Sequence, residues 1–173
     1  EDDSALGSLD RTSGEFAAES EGGGEPEGVL VTADGKTAYV TSEVANIVHE
    51  IDIEKRQIGA NIVVGNRPRR FAMTPGQSEL WVSNELNGTI SVIDPKPRKV
   101  TATIGFSPKG FRPEQITPVG VTFTDNGQTA FVALGRANHV AVVDVPSRKV
   151  EKYILVGRRA WNGTLSRDNK YLY

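Results

Sequence analysis

Side chains able to do chemistry are few in this chain, and the best of them recur at one place. Glu27, Arg69, Val119 and Trp161 stand at matching points of successive segments. Arg70 follows Arg69, and Arg67, Arg158 and Arg159 come just before. A guanidinium offers paired hydrogen bonds to a carboxylate, so Arg, Glu and Trp around one centre could hold an acidic small molecule or a partner peptide. The plainer alternative is a set of solvated loop charges with one packed Trp. Because these loops diverge while the strands repeat, replacing Arg69 and Arg70 is expected to leave stability nearly unchanged, and a shift of several kcal/mol would mean a structural role for the pair. A second candidate contact surface is the stretch 106–115, where Lys109, Arg112 and Glu114 lie between prolines and read as an ordered protruding loop.

Other chemistry finds no support. Cysteine is absent, which removes disulfides, thiolate metal sites and cysteine nucleophiles. His49 and His139 occupy non-equivalent places on two strands, with no carboxylate or second histidine at ligand spacing, so no metal or haem site is expected. Neither a nucleophile elbow nor a phosphate-binding or dinucleotide loop occurs. Asp2-Asp3 reads as part of a solvated acidic loop rather than an acid/base pair. The expectation is therefore no catalytic residue and no cofactor.

The elements that position these residues follow from a repeat. Leu9-Asp10, Ile51-Asp52 and Ile93-Asp94 recur every 42 residues, and Val143-Asp144 follows after 50. Pro26, Pro68 and Pro118, with Ala160 in the next place, keep the same steps, so one insertion of eight residues lies within 106–115. A period of this length denotes stacked copies of one supersecondary unit. Within a copy, short apolar runs alternate with turn signals about every ten residues, the pattern of strands. Val29-Leu30-Val31 and Thr37 to Thr41 flank Asp34-Gly35, which suggests a type I′ hairpin with two positive-φ residues. Asp52, Asp94 and Asp144 are expected to cap the turn after the third strand.

The predicted fold is all-β, with almost no helix: a β-propeller of four-stranded antiparallel blades, about four blades' worth. Its predicted parts are a poorly ordered half-blade at 1–24, blades at 25–66, 67–116 and 117–157, and a half-blade at 158–173. The preferred reading of that count is a fragment of a longer ring, the alternative being ends that combine into one shared blade or self-associate through it.

Composition bounds the partners. Hydrophobic residues make up 38% and charged residues 24%, ordinary for a soluble domain. No apolar run approaches about 18 residues, so no transmembrane segment is expected. A net charge of −2 without a basic stripe disfavours nucleic acid.

Tyr39-Val40-Thr41-Ser42, Trp81-Val82-Ser83-Asn84 and, more loosely, Phe131-Val132-Ala133-Leu134 resemble the second-strand phrase of YVTN-family β-propeller repeats. Pro26-Glu27-Gly28, Gln115 to Gly120 and Phe131 to Gly135 bring the chain nearest to bacterial propellers associated with pyrroloquinoline-quinone (PQQ)-dependent alcohol catabolism. That family forms rings of about seven blades. The resemblance implies a non-enzymatic binding or scaffold protein of the periplasm or cell surface, with a dehydrogenase or cytochrome as protein partner. It leaves two rival roles: an oxidoreductase subunit carrying or contacting haem or quinone, and a surface-layer structural repeat.

Overall fold

A computed structural model of the chain describes residues 5–9, 16–21 and 24–173. Asp2, Asp3, Asp10, Gly14 and Gly22-Gly23 lie outside the described residues. Strands β1 (Ala5–Leu9) and β2 (Phe16–Glu21) pair antiparallel as a two-stranded sheet. Three four-stranded antiparallel sheets follow, each in simple sequential order. The first contains β3 (Pro26–Val31), β4 (Thr37–Ser42), β5 (Ile47–Asp52) and β6 (Gln57–Val63). The second contains β7 (Pro68–Met73), β8 (Leu80–Asn84), β9 (Thr89–Asp94) and β10 (Lys99–Gly105). β11 (Pro118–Phe123), β12 (Thr129–Leu134), β13 (His139–Asp144) and β14 (Lys149–Leu155) make the third. A lone antiparallel bridge, Leu165 to Leu172, stands after it. Helix among the described residues is limited to two 3-10 turns, Pro113–Gln115 and Gly135–Ala137.

The second sheet explains why its inner sequence is apolar without alternation. Leu80, Val82 and Ile93 pack against Tyr39, Val48 and Ile62 of the first sheet. Trp81, Ile90 and Val92 pack the other way, against Val121, Val132 and Leu134 of the third. All five residues of β8 are buried, because a blade between two blades has no wet face. Each such aliphatic side chain contributes about 1.5–3 kcal/mol through burial.

The repeat reappears in the backbone. Positive φ recurs at Arg56, Arg98 and Arg148, at Asn46, Gly88 and Asn138, and at Gly35, Gln77, Gly127 and Asn169. The caps expected of the third-strand aspartates are present: Asp52, Asp94 and Asp144 accept from the N–H of Lys55, Lys96 and Ser147 at 3.0, 2.9 and 2.8 Å. The expected type I′ hairpin is not. Only Gly35 has positive φ, and its N–H bonds Thr32 O at 2.9 Å, so an ordinary turn precedes one left-handed residue. Thr32 Oγ1 donates to Asp34 and holds this wider loop.

Candidate functional site

In each four-stranded sheet the first strand carries an irregularity at the same place. Register shifts between Pro26 and Val29, between Pro68 and Phe71, and between Pro118 and Val121. One extra residue in a strand re-aims the side chains beside it. The residues inside these bulges are Glu27-Gly28, Arg69-Arg70 and Val119-Gly120, so the pleat of the inner strand is broken at the recurring positions. The residue before each of Pro26, Pro68 and Pro118, and before Ala160 in the matching place, is left-handed as well: Glu25, Arg67, Thr117 and Arg159 have φ between 46° and 56°.

These devices bring the first blades' charges together. Glu43 Oε2 accepts from Arg67 Nε at 2.7 Å, and its other oxygen pairs with Arg69 Nη1. Glu85 Oε2 lies 3.5 Å from both Arg67 Nε and Arg69 Nε. Glu27 Oε1 stands 3.2 Å from Arg70 Nη2 and 3.5 Å from Arg69 Nη2. The Glu43 hydrogen bond and charge raise the pKa of Arg67 further above its ordinary value. Three carboxylates thus face three guanidiniums. The cluster therefore gathers paired charges of both signs where the inner strands of the first two four-stranded sheets meet.

Trp161 joins the cluster from the segment after β14. The guanidinium carbon of Arg69 lies 5.2 Å from its ring centroid and that of Arg159 lies 5.9 Å away. Arg69 therefore touches Glu27 and Glu43 of the first sheet and Trp161 beyond the third, which sets it at the meeting point of the inner strands. Val119, at the matching position of the third sheet, is fully buried. Arg158 is exposed, as are Lys109, Arg112 and Glu114.

The inserted stretch lies on the same face but does not simply protrude. Phe106 and Ile116 are buried, Ser107 N–H donates to the Tyr153 hydroxyl at 2.8 Å, and Phe111 meets His139 edge-to-face at 5.7 Å. Its charged residues point outward from this packed base, Arg112 lying 3.7 Å from Glu114. The histidines are absorbed in packing: His49 Nδ1 bonds Asn61 Oδ1 at 2.6 Å, and His139 sits between Phe111 and Tyr153. No group of three His, Asp or Glu suited to a metal occurs among the described residues. Nor is any helix among them long and apolar enough to cross a membrane.

Sequence reading did not single out Glu43 and Glu85, the two acids at the centre of the network. Their separation of 42 residues, directly after the matching phrases on β4 and β8, was the available signal. Gly135 holds the same place in the third sheet, so no carboxylate follows β12.

This fold is that of β-propeller blades, and solved structures agree. Hydrazine synthase of Kuenenia stuttgartiensis superposes with a TM-score of 0.86 at 21% identity, over 98% of this chain and 48% of that one. A 6-phosphogluconolactonase-like protein of Bacteroides uniformis superposes with a TM-score of 0.78 at 13% identity, over 97% of this chain and 56% of that one. The chain spans about half the length of each. No family model and no curated protein sequence matches it.

Proposed function

We propose that the chain is a non-enzymatic binding module built of YVTN-type propeller blades. It works in the periplasm or at the cell surface, where it supports a quinone-dependent oxidation system by contacting a dehydrogenase or cytochrome. The observation that carries the binding role is the convergence on Arg69. Ion pairs from two sheets and a partly exposed Trp161 meet at one face, at strand bulges and adjoining loops whose sequences diverge while the rest of each strand repeats. Function concentrates on such loops when a stiff scaffold presents them. The second-strand phrases on β4, β8 and β12 support the YVTN assignment, and the PQQ association rests on the resemblance described above.

Visible absorption of the purified protein and capture assays with a purified periplasmic quinoprotein dehydrogenase and its cytochrome test this reading. A colourless protein that retains one of them is expected. A Soret or quinone band would overturn the reading in favour of a cofactor-carrying subunit. Recovery of self-associated chains alone would favour a structural repeat.

A further inference from the structure

We infer that one half of this face, carried by the third sheet, the inserted stretch and the segment after β14, docks a carboxylate-rich segment of a protein partner. The inference rests on the binding-module reading and names the chemistry of the partner.

Charge on the face is polarised. On the first two sheets Arg67, Arg69 and Arg70 are all paired. The loop segments 106–117, 134–139 and 156–162 hold Lys109, Arg112, Arg136, Arg158 and Arg159 against a single acid, Glu114. That acid is engaged by Arg112. Among the described residues, Arg136, Arg158 and Arg159 have no carboxylate partner, and all three are exposed. The cause is visible in the repeat: Gly135 replaces the acid that follows β4 and β8.

The backbone brings the loops that carry these cations together. Arg136 N–H donates to Thr117 Oγ1 at 2.7 Å, Gly135 N–H donates to Thr117 O at 2.9 Å, and Arg159 N–H donates to Asn138 Oδ1 at 2.9 Å. Thr117 is buried and β-branched yet has φ 46°, a conformation that needs surrounding structure to impose it. Like charges on adjoining loops, with no counter-ion among the described residues, create a positive field at the surface.

Trp161, 37% exposed beside them, supplies an apolar anchor of the kind that dominates protein interfaces together with Arg. Guanidiniums match carboxylates in bidentate geometry. On the other half Arg67, Arg69 and Arg70 are already engaged by Glu27, Glu43 and Glu85, so a continuous polyanion running across the face would find its cations occupied there. A short acidic protein segment fits the patch; a nucleic acid does not.

Fluorescence titration tests the assignment. The chain has two tryptophans, and Trp81 is fully buried, so Trp161 is the solvent-facing reporter. A synthetic Glu-rich peptide should shift its emission saturably, with affinity falling as salt is added. The double variant R136E/R158E should weaken binding about tenfold or more, whereas K96E/K99E, an equal change in net charge on the opposite loops, should not. R136Q/R158Q serves the same purpose should the reversed variant fail to fold.

Unchanged affinity in both Arg variants, no emission change, or equal binding of a Gln-substituted peptide or single-stranded DNA would overturn the inference. The same variants separate it from the broader reading. Undiminished capture of the dehydrogenase or cytochrome by R136E/R158E would sink this docking surface and leave the binding module standing. Peptide binding as expected, with neither protein captured, would sink the proposed partner class instead.

Discussion

Trp81 stands edge-on to Phe123, ring centroids 5.1 Å apart and planes at 78°, and so ties the second sheet to the third. Its indole N–H donates to Glu79 Oε2 at 2.9 Å, and Arg148 from the far turn of the third sheet grips the other oxygen of Glu79. Hydrophobic burial and a polar clamp therefore cross one boundary from the same residue. Trp81→Ala should cost about 3–5 kcal/mol through lost transfer energy and a cavity. Arg148→Ala should cost about 1 kcal/mol, since that pair is partly solvated. Urea unfolding checks both, and a Trp81→Ala loss no larger than that of Arg148→Ala would mean the boundary is not held by this ring.

Arg69 and Arg70 are neighbours in sequence and unlike in environment. The Arg69 side chain is 11% exposed and is paired with Glu43, itself 6% exposed, whereas Arg70 is 48% exposed and, among the described residues, reaches only Glu27. Removing one member of a buried pair strands the other charge, so Arg69→Met should cost about 3 kcal/mol. Arg70→Ala should stay within about 0.5 kcal/mol. The equal and slight effect expected of both from sequence therefore applies to Arg70 alone. Chemical denaturation decides it: equal midpoints for the two variants would return Arg69 to the class of solvated loop charges.

The contrast between these two residues marks where the sequence was legible. Spacing located both arginines at the recurring position, because an apolar repeat keeps phase over the whole chain. Burial of one and exposure of the other depends on a bulge that inserts a residue into β7, and no residue type announces it. Glu43 was hidden for a related reason: a single acid after an apolar strand reads as a solvated loop residue until its arginines, 24 and 26 positions away, are brought to it. The caps at Asp52, Asp94 and Asp144 were legible since they are local, whereas the turn at Gly35 was misjudged because its loop is held by Thr32, outside the Asp-Gly pair.

Tyr39 gives the fold an alkaline limit. Burial, then the charge and hydrogen bond of Glu50, push its phenol up to about 12 from an ordinary 10.0. The hydroxyl donates to Glu50 Oε2 at 3.4 Å, while Arg98 holds Glu50 Oε1 from the next sheet at 2.8 and 3.0 Å. Between pH 10 and 12 the unfolded chain gives up this proton and the folded chain keeps it. The unfolded state then binds fewer protons, so stability is whole below pH 10 and falls as pH rises toward 12. Tyrosinate absorbance should show one of the four tyrosines ionising late, and Tyr39→Phe should remove it and flatten that part of the pH–stability curve. Four tyrosines titrating together would contradict this.

Gln77 occupies a place that its repeats give to residues better suited to it. Gly35, Gly127 and Asn169 hold the matching position, and all four have φ between 54° and 70°. A left-handed conformation costs a residue with a Cβ about 1–2 kcal/mol, and glycine nothing. The neighbouring Gly76, which the Pro75-Gly76 pair marks as the turn glycine, does not have positive φ, so its freedom is misplaced by one position. The Gln77 side chain contributes little in return, its Oε1 lying 3.4 Å from Ala33 N at an exposed site. Against this gain stands the extra entropy of glycine in the unfolded chain, somewhat under 1 kcal/mol. Gln77→Gly should therefore stabilise by about 0.5–1 kcal/mol and Gln77→Asn by somewhat less, both read as higher urea midpoints at unchanged slope. A lower midpoint for both would mean that the Ala33 contact outweighs the backbone strain.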